Sequence, residues 1–267
     1  MNHRYYRLGW RNDLERFGAL RPSALKSFRR PASVPELFDP SGWMKIEDQQ
    51  QTNSCTGHGA TTAAELLYWL ATKGTVIQLS RMFAYITAQR IDGLAGRDEG
   101  ATITGVVKAL ERDGVCLEEL CPFTGRYFSA LSPAAVADAQ ERQVLKHVEI
   151  ESAEAAVDWI GGGMGAVVIG VPCGQLMFNV KDVLSGADEG GGGHAMAVVG
   201  YDLRRRLLRV PGSWGTRYAN NGWFWVPFSV FDRWCAMVRS RVAEVWGVTN
   251  MEAPMPRDIS FVDQMVG

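Results

Sequence analysis

The polar and apolar positions divide this chain into two unlike halves. In TGHGATTAAELLYWLATK (56–73), Ala60, Ala63, Ala64, Leu67 and Leu70 recur at helical spacing, and Gly74 supplies a C-terminal stop. The predicted helix is apolar almost all round, so it should be central and buried. Residues 80–92 and 102–112 read as further helices, with a Gly/Asp-rich loop, Gly93–Gly100, between them. Residues 132–146 read as one more helix. The second half instead offers short β-branched or aromatic runs, AVVIGVP (166–172), HAMAVVGYD (194–202), RLLRVPGSW (206–214) and GWFWVPF (222–228), punctuated by Gly, Asp, Asn and Pro. Helices first and strands second predict an α+β chain with two lobes. Residues 1–33 form an arm rich in Arg and aromatics, Pro35 and Pro40 bracket an extended stretch, and 246–267 is a tail with little pattern.

Composition sharpens this picture. The 267 residues, 46% of them apolar, suffice for one large domain or two lobes around a shared cleft. No stretch approaches the ~18 apolar residues of a membrane span. The first twenty residues have no signal-type apolar run, so a cytoplasmic or assembly-associated protein without a signal peptide is expected. The net charge of −1 hides an asymmetry. Residues 1–33 hold eight Lys/Arg against Asp13 and Glu15, a balance of +6 that leaves −7 for the remainder. Such an arm fits either the chain's own acidic body or a protein partner or assembly. No nucleic-acid-binding fold accompanies it, which argues against nucleic acid. The five cysteines, Cys55, Cys116, Cys121, Cys173 and Cys235, are odd in number and widely spaced, unlike a disulfide framework or a zinc site. A reducing compartment fits them.

A cysteine nucleophile needs to become a thiolate, and needs a base nearby and donors for a developing oxyanion. Cys55 stands just before the Thr56 helix, where unpaired N–H groups and the positive end of the helix dipole lower a thiol pKa. The alternative is an inert buried cysteine. His194 opens a strand after GGGG (190–193) and suits a base better than the other three histidines: His3 lies in the arm, His147 in a charged stretch, and His58 on the Cys55 helix, facing the core.

The segment DQQQTNSCTGHGA (48–60) resembles the nucleophile segment of papain-like cysteine peptidases, above all the bacterial and phage pattern D-Q-G-x-x-G-S-C-x-x-x-A. GGHAMAVVGYD (192–202) resembles the histidine segment G-G-H-A-x-x-x-V-G-Y-D. GSWGTRYANNGWFWVPF (212–228) resembles N-S-W-G-x-x-W-G-x-x-G-Y-x-x-x-P-Y. The resemblance runs from about 33 to 245. It implies a helical left lobe (about 34–130) and a β-barrel right lobe (about 131–245), with the active site in the cleft between them. It further implies Cys55 as nucleophile, His194 as base, and Gln49 with the Cys55 N–H as oxyanion hole. Gly100 and Ala101 would pair with an extended peptide or protein substrate, and Trp214 would shield the imidazole. Neither a metal nor an organic cofactor is required.

The departures bear on activity. The family's histidine-orienting asparagine should stand at 212, where this chain has Gly212, so the imidazole lacks its tautomer-fixing partner. Gln50 and Asn53 replace two glycines of the nucleophile loop, and Thr52 stands where a left-lobe disulfide is common. The 33-residue arm is far shorter than the family's usual inhibitory propeptide. Three readings follow: a thiol-dependent endopeptidase; a structural or assembly protein, for example virion-associated, that keeps the fold with weak or lost activity; and an acyl transferase using the same Cys–His pair.

Overall fold

The computed structural model describes residues 7–11, 31–143 and 146–249. Its centre is helix α1, Cys55–Ala71. Fourteen of its residues are buried, from Cys55 through Leu70, as expected of a helix apolar on nearly every face. Two helices cover one side of it, α2 (Arg81–Ile91) and α3 (Ile103–Arg112). Side chains cap both: Ser80 Oγ accepts from Phe83 N at 3.0 Å, and Thr102 Oγ1 accepts from Gly105 N at 2.7 Å. Inside this layer, the buried Arg81 guanidinium meets Glu65 at 2.9 Å and Glu47 at 3.2 Å.

The strands are β1 (Trp10–Arg11), β2 (Leu37–Phe38), β3 (Ala101–Thr102), β4 (Lys146–Glu149), β5 (Val167–Cys173), β6 (Gly192–Val198), β7 (Gly200–Asp202), β8 (Leu207–Pro211), β9 (Trp223–Pro227) and β10 (Glu244–Thr249). One antiparallel sheet runs β4-β10-β5-β6 and another β2-β7-β8-β9; β1 and β3 pair in parallel. No strand pairing among the described residues closes the two sheets into one barrel. The first sheet packs on α1 through β5 and β6, so the helical layer and the sheets share that helix as their common core. His194, on β6, pairs with Val171 of β5, and the next residue, Ala195, reaches the start of α1.

Three expectations differ from the fold. The predicted helix 132–146 ends early, as α4 (Pro133–Ala139), and Lys146–Glu149 becomes a strand because β10 offers it an antiparallel partner. The run 194–202 is two strands: Val199 breaks the ladder and donates to Arg209 O at 3.0 Å, sending the chain into the second sheet. The run 206–214 stops at Pro211, and Gly212–Trp214 leaves the sheet as a loop. Helices α5 (Ala153–Gly161), α6 (Gln175–Phe178) and α7 (Phe228–Arg239), and strand β10, carried no expectation. Strand β10 takes up Trp246–Thr249 of the supposed tail. The rest of the tail, and all of the arm except 7–11 and 31–33, lie outside the described residues, His3 among them. No helix among the described residues is long and apolar enough to cross a membrane.

Candidate active site

Cys55 is the first residue of α1, and its sulfur is fully buried. Two backbone N–H groups donate hydrogen bonds to it, and those of Thr56 and Trp10 also act on it. Ala195, next to His194 on β6, donates at 3.4 Å; Gly9, from the N-terminal arm, donates at 3.3 Å. Neither nitrogen of the buried His194 ring has a hydrogen-bond partner. The ring instead stacks on Trp214, with centroids 4.3 Å apart and planes 21° from parallel. His58, the other histidine on this side, is buried as predicted, with Nδ1 3.0 Å from the Ser54 carbonyl.

Gln49 is anchored at both ends of its amide. Its backbone N–H donates to Ser213 O at 2.8 Å, Ser213 Oγ donates to Oε1 at 2.7 Å, and Nε2 donates to Thr52 O at 2.9 Å. This leaves the second Nε2 hydrogen for a ligand, and here it meets Arg7 O at 3.1 Å. Trp214 Nε1 lies 3.4 Å from the same carbonyl. On the opposite wall, Gly100 adopts φ +86, and its N–H donates to Tyr85 Oη at 2.8 Å. A side chain at Gly100 would collide with the Gly9 carbonyl. Ala101 N donates to that carbonyl at 2.9 Å.

All six residues singled out in the sequence, Cys55, His194, Gln49, Gly100, Ala101 and Trp214, therefore gather around residues 7–11 of the same chain, but no hydrogen bond joins the Cys55 sulfur to either His194 nitrogen. Trp10 is the anchor. Its indole fills a slot opened by Gly170 and Gly193, where a side chain at either position would overlap the ring. Its Nε1 donates to Glu244 Oε1 at 3.0 Å, and the fully buried Glu244 also accepts from Thr104 and Trp246. At the rim, Arg11 donates to Glu99 O at 2.6 Å and pairs with its carboxylate. Sequence reasoning missed Gly9, Trp10 and Glu244, since an arm of mixed charge and aromatics carries no sign of where it docks. It also missed Ser213, inside a segment quoted for its resemblance.

Over this segment, a family model described as papain family cysteine protease matches residues 34–245. The chain belongs to the papain family of cysteine proteases. A peptidase C1-like protein of Acanthamoeba polyphaga mimivirus is 23% identical over 232 residues, 76% of this chain and 74% of that protein. Among solved structures, xylellain, a cysteine protease from Xylella fastidiosa, superposes with a TM-score of 0.76 at 21% identity, over 91% of this chain and 96% of that one. The procathepsin B S9 of Trypanosoma congolense gives 0.67 at 13% identity, over 92% and 87%. At such identities the structures speak for the two-lobed fold.

Electrostatics in the covered cleft oppose ionisation. Burial pushes the Cys55 thiol up to about 11, against smaller lowering contributions from the backbone N–H groups of Ala195, Gly9, Thr56 and Trp10. Burial likewise takes His194 down to about 3, helped by the nearby His58. With the arm in the cleft, sulfur and imidazole are thus both neutral at pH 7. All five cysteines are free and buried.

Proposed function

We propose that this papain-family peptidase hydrolyses peptide bonds with Cys55 as nucleophile, His194 as general base, and Gln49 and the Cys55 N–H as oxyanion donors, and that its own residues 7–11 keep the cleft closed. The observation that carries this reading is the arm itself. An extended peptide lies across the cleft and is held by Gln49, Ala101 and the Cys55 sulfur. What it offers the sulfur is an N–H donor from Gly9, not a carbonyl carbon, so it occupies the site without being set up for attack.

In the open cleft the thiolate attacks a substrate carbonyl, and the oxyanion forms against Gln49 Nε2, now free of Arg7 O. His194 protonates the leaving amine and then activates water to release the acyl group. The Trp10 slot takes a neighbouring substrate side chain. Its apolar walls and the Glu244 carboxylate favour a flat side chain ending in an N–H donor. A protein partner that engages the basic arm would set when the cleft opens.

A second reading, a papain-fold assembly protein with lost activity, draws on one observation: His194 has no hydrogen bond to aim it. One experiment separates the two. Full-length protein, Trp10→Ala and Cys55→Ala are treated with an epoxide or vinyl-sulfone warhead and mapped by mass spectrometry. The peptidase reading expects slow labelling of the first, fast labelling of the second at Cys55, and none there in the third. No labelling of Trp10→Ala at Cys55 would leave the assembly reading standing.

A further inference from the structure

Two of the five cysteines are neighbours in space. Cys116 and Cys121 flank the short turn Glu118–Leu120, which Cys121 N closes by donating to Glu118 O at 3.3 Å. Ser80, the residue that caps α2, holds both. Its N–H donates to Cys116 O at 2.9 Å, and its hydroxyl donates to Cys121 O at 2.5 Å. The side chains follow the backbone: the two thiols hydrogen-bond to one another, and the Ser80 hydroxyl is within hydrogen-bonding reach of each sulfur. No group of three or more His, Cys, Asp or Glu side chains among the described residues could hold a metal ion. Packing does not call for the pair either, since two apolar side chains of similar size would fill this place at little cost.

The two sulfurs are not equivalent. The Cys116 thiol donates to Cys121, which favours the thiolate there and brings Cys121 down to about 7. The same bond, with burial, holds Cys116 well above the ordinary thiol range. Burial likewise raises Cys55, Cys173 and Cys235. Cys121 keeps 5% of its surface exposed and Cys116 none, so a small reagent from outside meets the more acidic sulfur first.

We propose that Cys116 and Cys121 form a redox-modification site, in which a peroxide converts the resting dithiol into a reversible disulfide beside the start of α2. The Cys121 thiolate attacks one oxygen of hydrogen peroxide. The O–O bond breaks, hydroxide leaves and takes up a proton to become water, and Cys121 becomes a sulfenic acid. The Cys116 thiol then loses its proton and its sulfur attacks that of Cys121. The S–S bond forms, the S–O bond breaks, and hydroxide leaves with the Cys116 proton as a second water. Two thiols and one peroxide thus give one disulfide and two waters, and a dithiol reductant reverses the bond by exchange. The cross-link would fasten the turn just before Phe123, whose ring meets His58 of α1 edge-on at 4.9 Å. The proposal uses neither Cys55 nor His194 and stands apart from the peptidase reading.

The test treats the reduced, full-length chain with hydrogen peroxide at neutral pH. Free thiols are then blocked with N-ethylmaleimide in urea, and the chain is digested with trypsin without reductant. Cleavage after Arg112 and Arg126 releases both cysteines in one peptide, DGVCLEELCPFTGR. That peptide should be unblocked and lighter by two hydrogen atoms, while the peptides of Cys55, Cys173 and Cys235 carry the label. Oxidation of the pair should outpace that of the other three about tenfold, because the gain in thiolate is partly offset by lower nucleophilicity. Dithiothreitol should restore labelling at both positions. Cys116→Ser keeps a donor beside Cys121 but has no sulfur to close the bond, so dimedone should trap a sulfenic acid at Cys121. Cys121→Ser should leave Cys116 reduced. Equal oxidation of all five cysteines would overturn the proposal, as would a disulfide that forms only in urea. Peroxide that oxidises Cys116 as fast in Cys121→Ser as in the natural chain would overturn it too. Circular dichroism identifies a variant that fails to fold, and the map of the natural chain then decides.

Discussion

Replacing Trp10 by alanine should open the cleft, and the size of the effect follows from what the indole touches. Trp10 is only 9% exposed although it belongs to a two-residue strand at the end of an arm. A tryptophan side chain buries about 150–250 Å², worth roughly 4–6 kcal/mol at 25 cal/mol/Å². That is an upper figure, because a detached arm retains some contacts. The indole N–H to Glu244 adds a bond to a buried carboxylate. Even half of this total, about 3 kcal/mol, shifts the closed-to-open ratio by more than a hundredfold.

The assay is alkylation of Cys55 at pH 7 by iodoacetamide, followed by peptide mapping. The other four cysteines are also buried and serve as internal references. A thiol held at about 11 is ionised to only about one part in ten thousand at pH 7. Opening relieves the burial that is the largest cause of that value, so the thiol becomes both accessible and more acidic. We expect Trp10→Ala to alkylate at Cys55 at least a hundredfold faster than the natural chain, with the other cysteines unchanged. Equal rates would refute the idea that the arm is what covers the sulfur. A parallel rise at all five cysteines would mean that the substitution had loosened the whole fold.

Two further substitutions test the surroundings. Arg81→Met leaves Glu65 and Glu47 facing one another in the helical layer without their shared cation; urea unfolding should show a loss of about 3–5 kcal/mol, and a loss below 1 kcal/mol would show that the cluster is not structural. Glu244→Gln keeps the shape of the slot but removes its charge; in the Trp10→Ala background it should reduce cleavage of substrates with Arg or Trp in that slot relative to Leu by about tenfold, measured with a peptide library, and an unchanged ranking would remove Glu244 from substrate choice.

How much of this was legible beforehand depends on whether the cause was local. Helix α1 could be read because its apolar residues recur on every face, and Cys55 because a nucleophile at a helix start has few places to be. Strand β10 was invisible because EVWGVT looks no different from a tail until β4 and β5 lie on either side of it. The loop departures have local explanations that only geometry supplies. Gln50 stands at φ 51, the left-handed region a glycine would take without strain, and its N–H donates to Asp48. Asn53 is fastened to Asp98 through both its backbone N–H and its side-chain amide. The arm is the largest omission. Its charge was counted correctly, but its docking rests on one indole, two glycines of the sheet and a buried carboxylate more than two hundred residues away, and no pattern along the chain connects them.

Acid should open the cleft, and the sign comes from His194. Burial lowers its pKa from about 6.5 to about 3 in the covered state. The closed form therefore binds fewer protons than a hydrated histidine would. Its stability relative to the open form is complete above pH 6.5 and declines as pH falls from there toward 3, by about 1.4 kcal/mol per unit at most. The Cys55 thiol, held up to about 11 by burial, stays protonated in the closed form throughout this window, and any acidity it gains on opening favours opening as pH rises, the opposite sign to His194. The measurement is the reaction of Cys55 with a dipyridyl disulfide, a reagent that stays active in acid. The rate for the natural chain is divided by that for Trp10→Ala at each pH, which cancels the reagent's own pH dependence. The ratio should be far below one at pH 7.5 and rise at least tenfold by pH 5, before near-ultraviolet circular dichroism reports any global unfolding. In His194→Gln, whose side chain does not titrate, the rise should vanish. A ratio that stays flat in the natural chain would mean that His194 remains dry after the arm leaves. A rise that persists in His194→Gln would assign the acid response to another group.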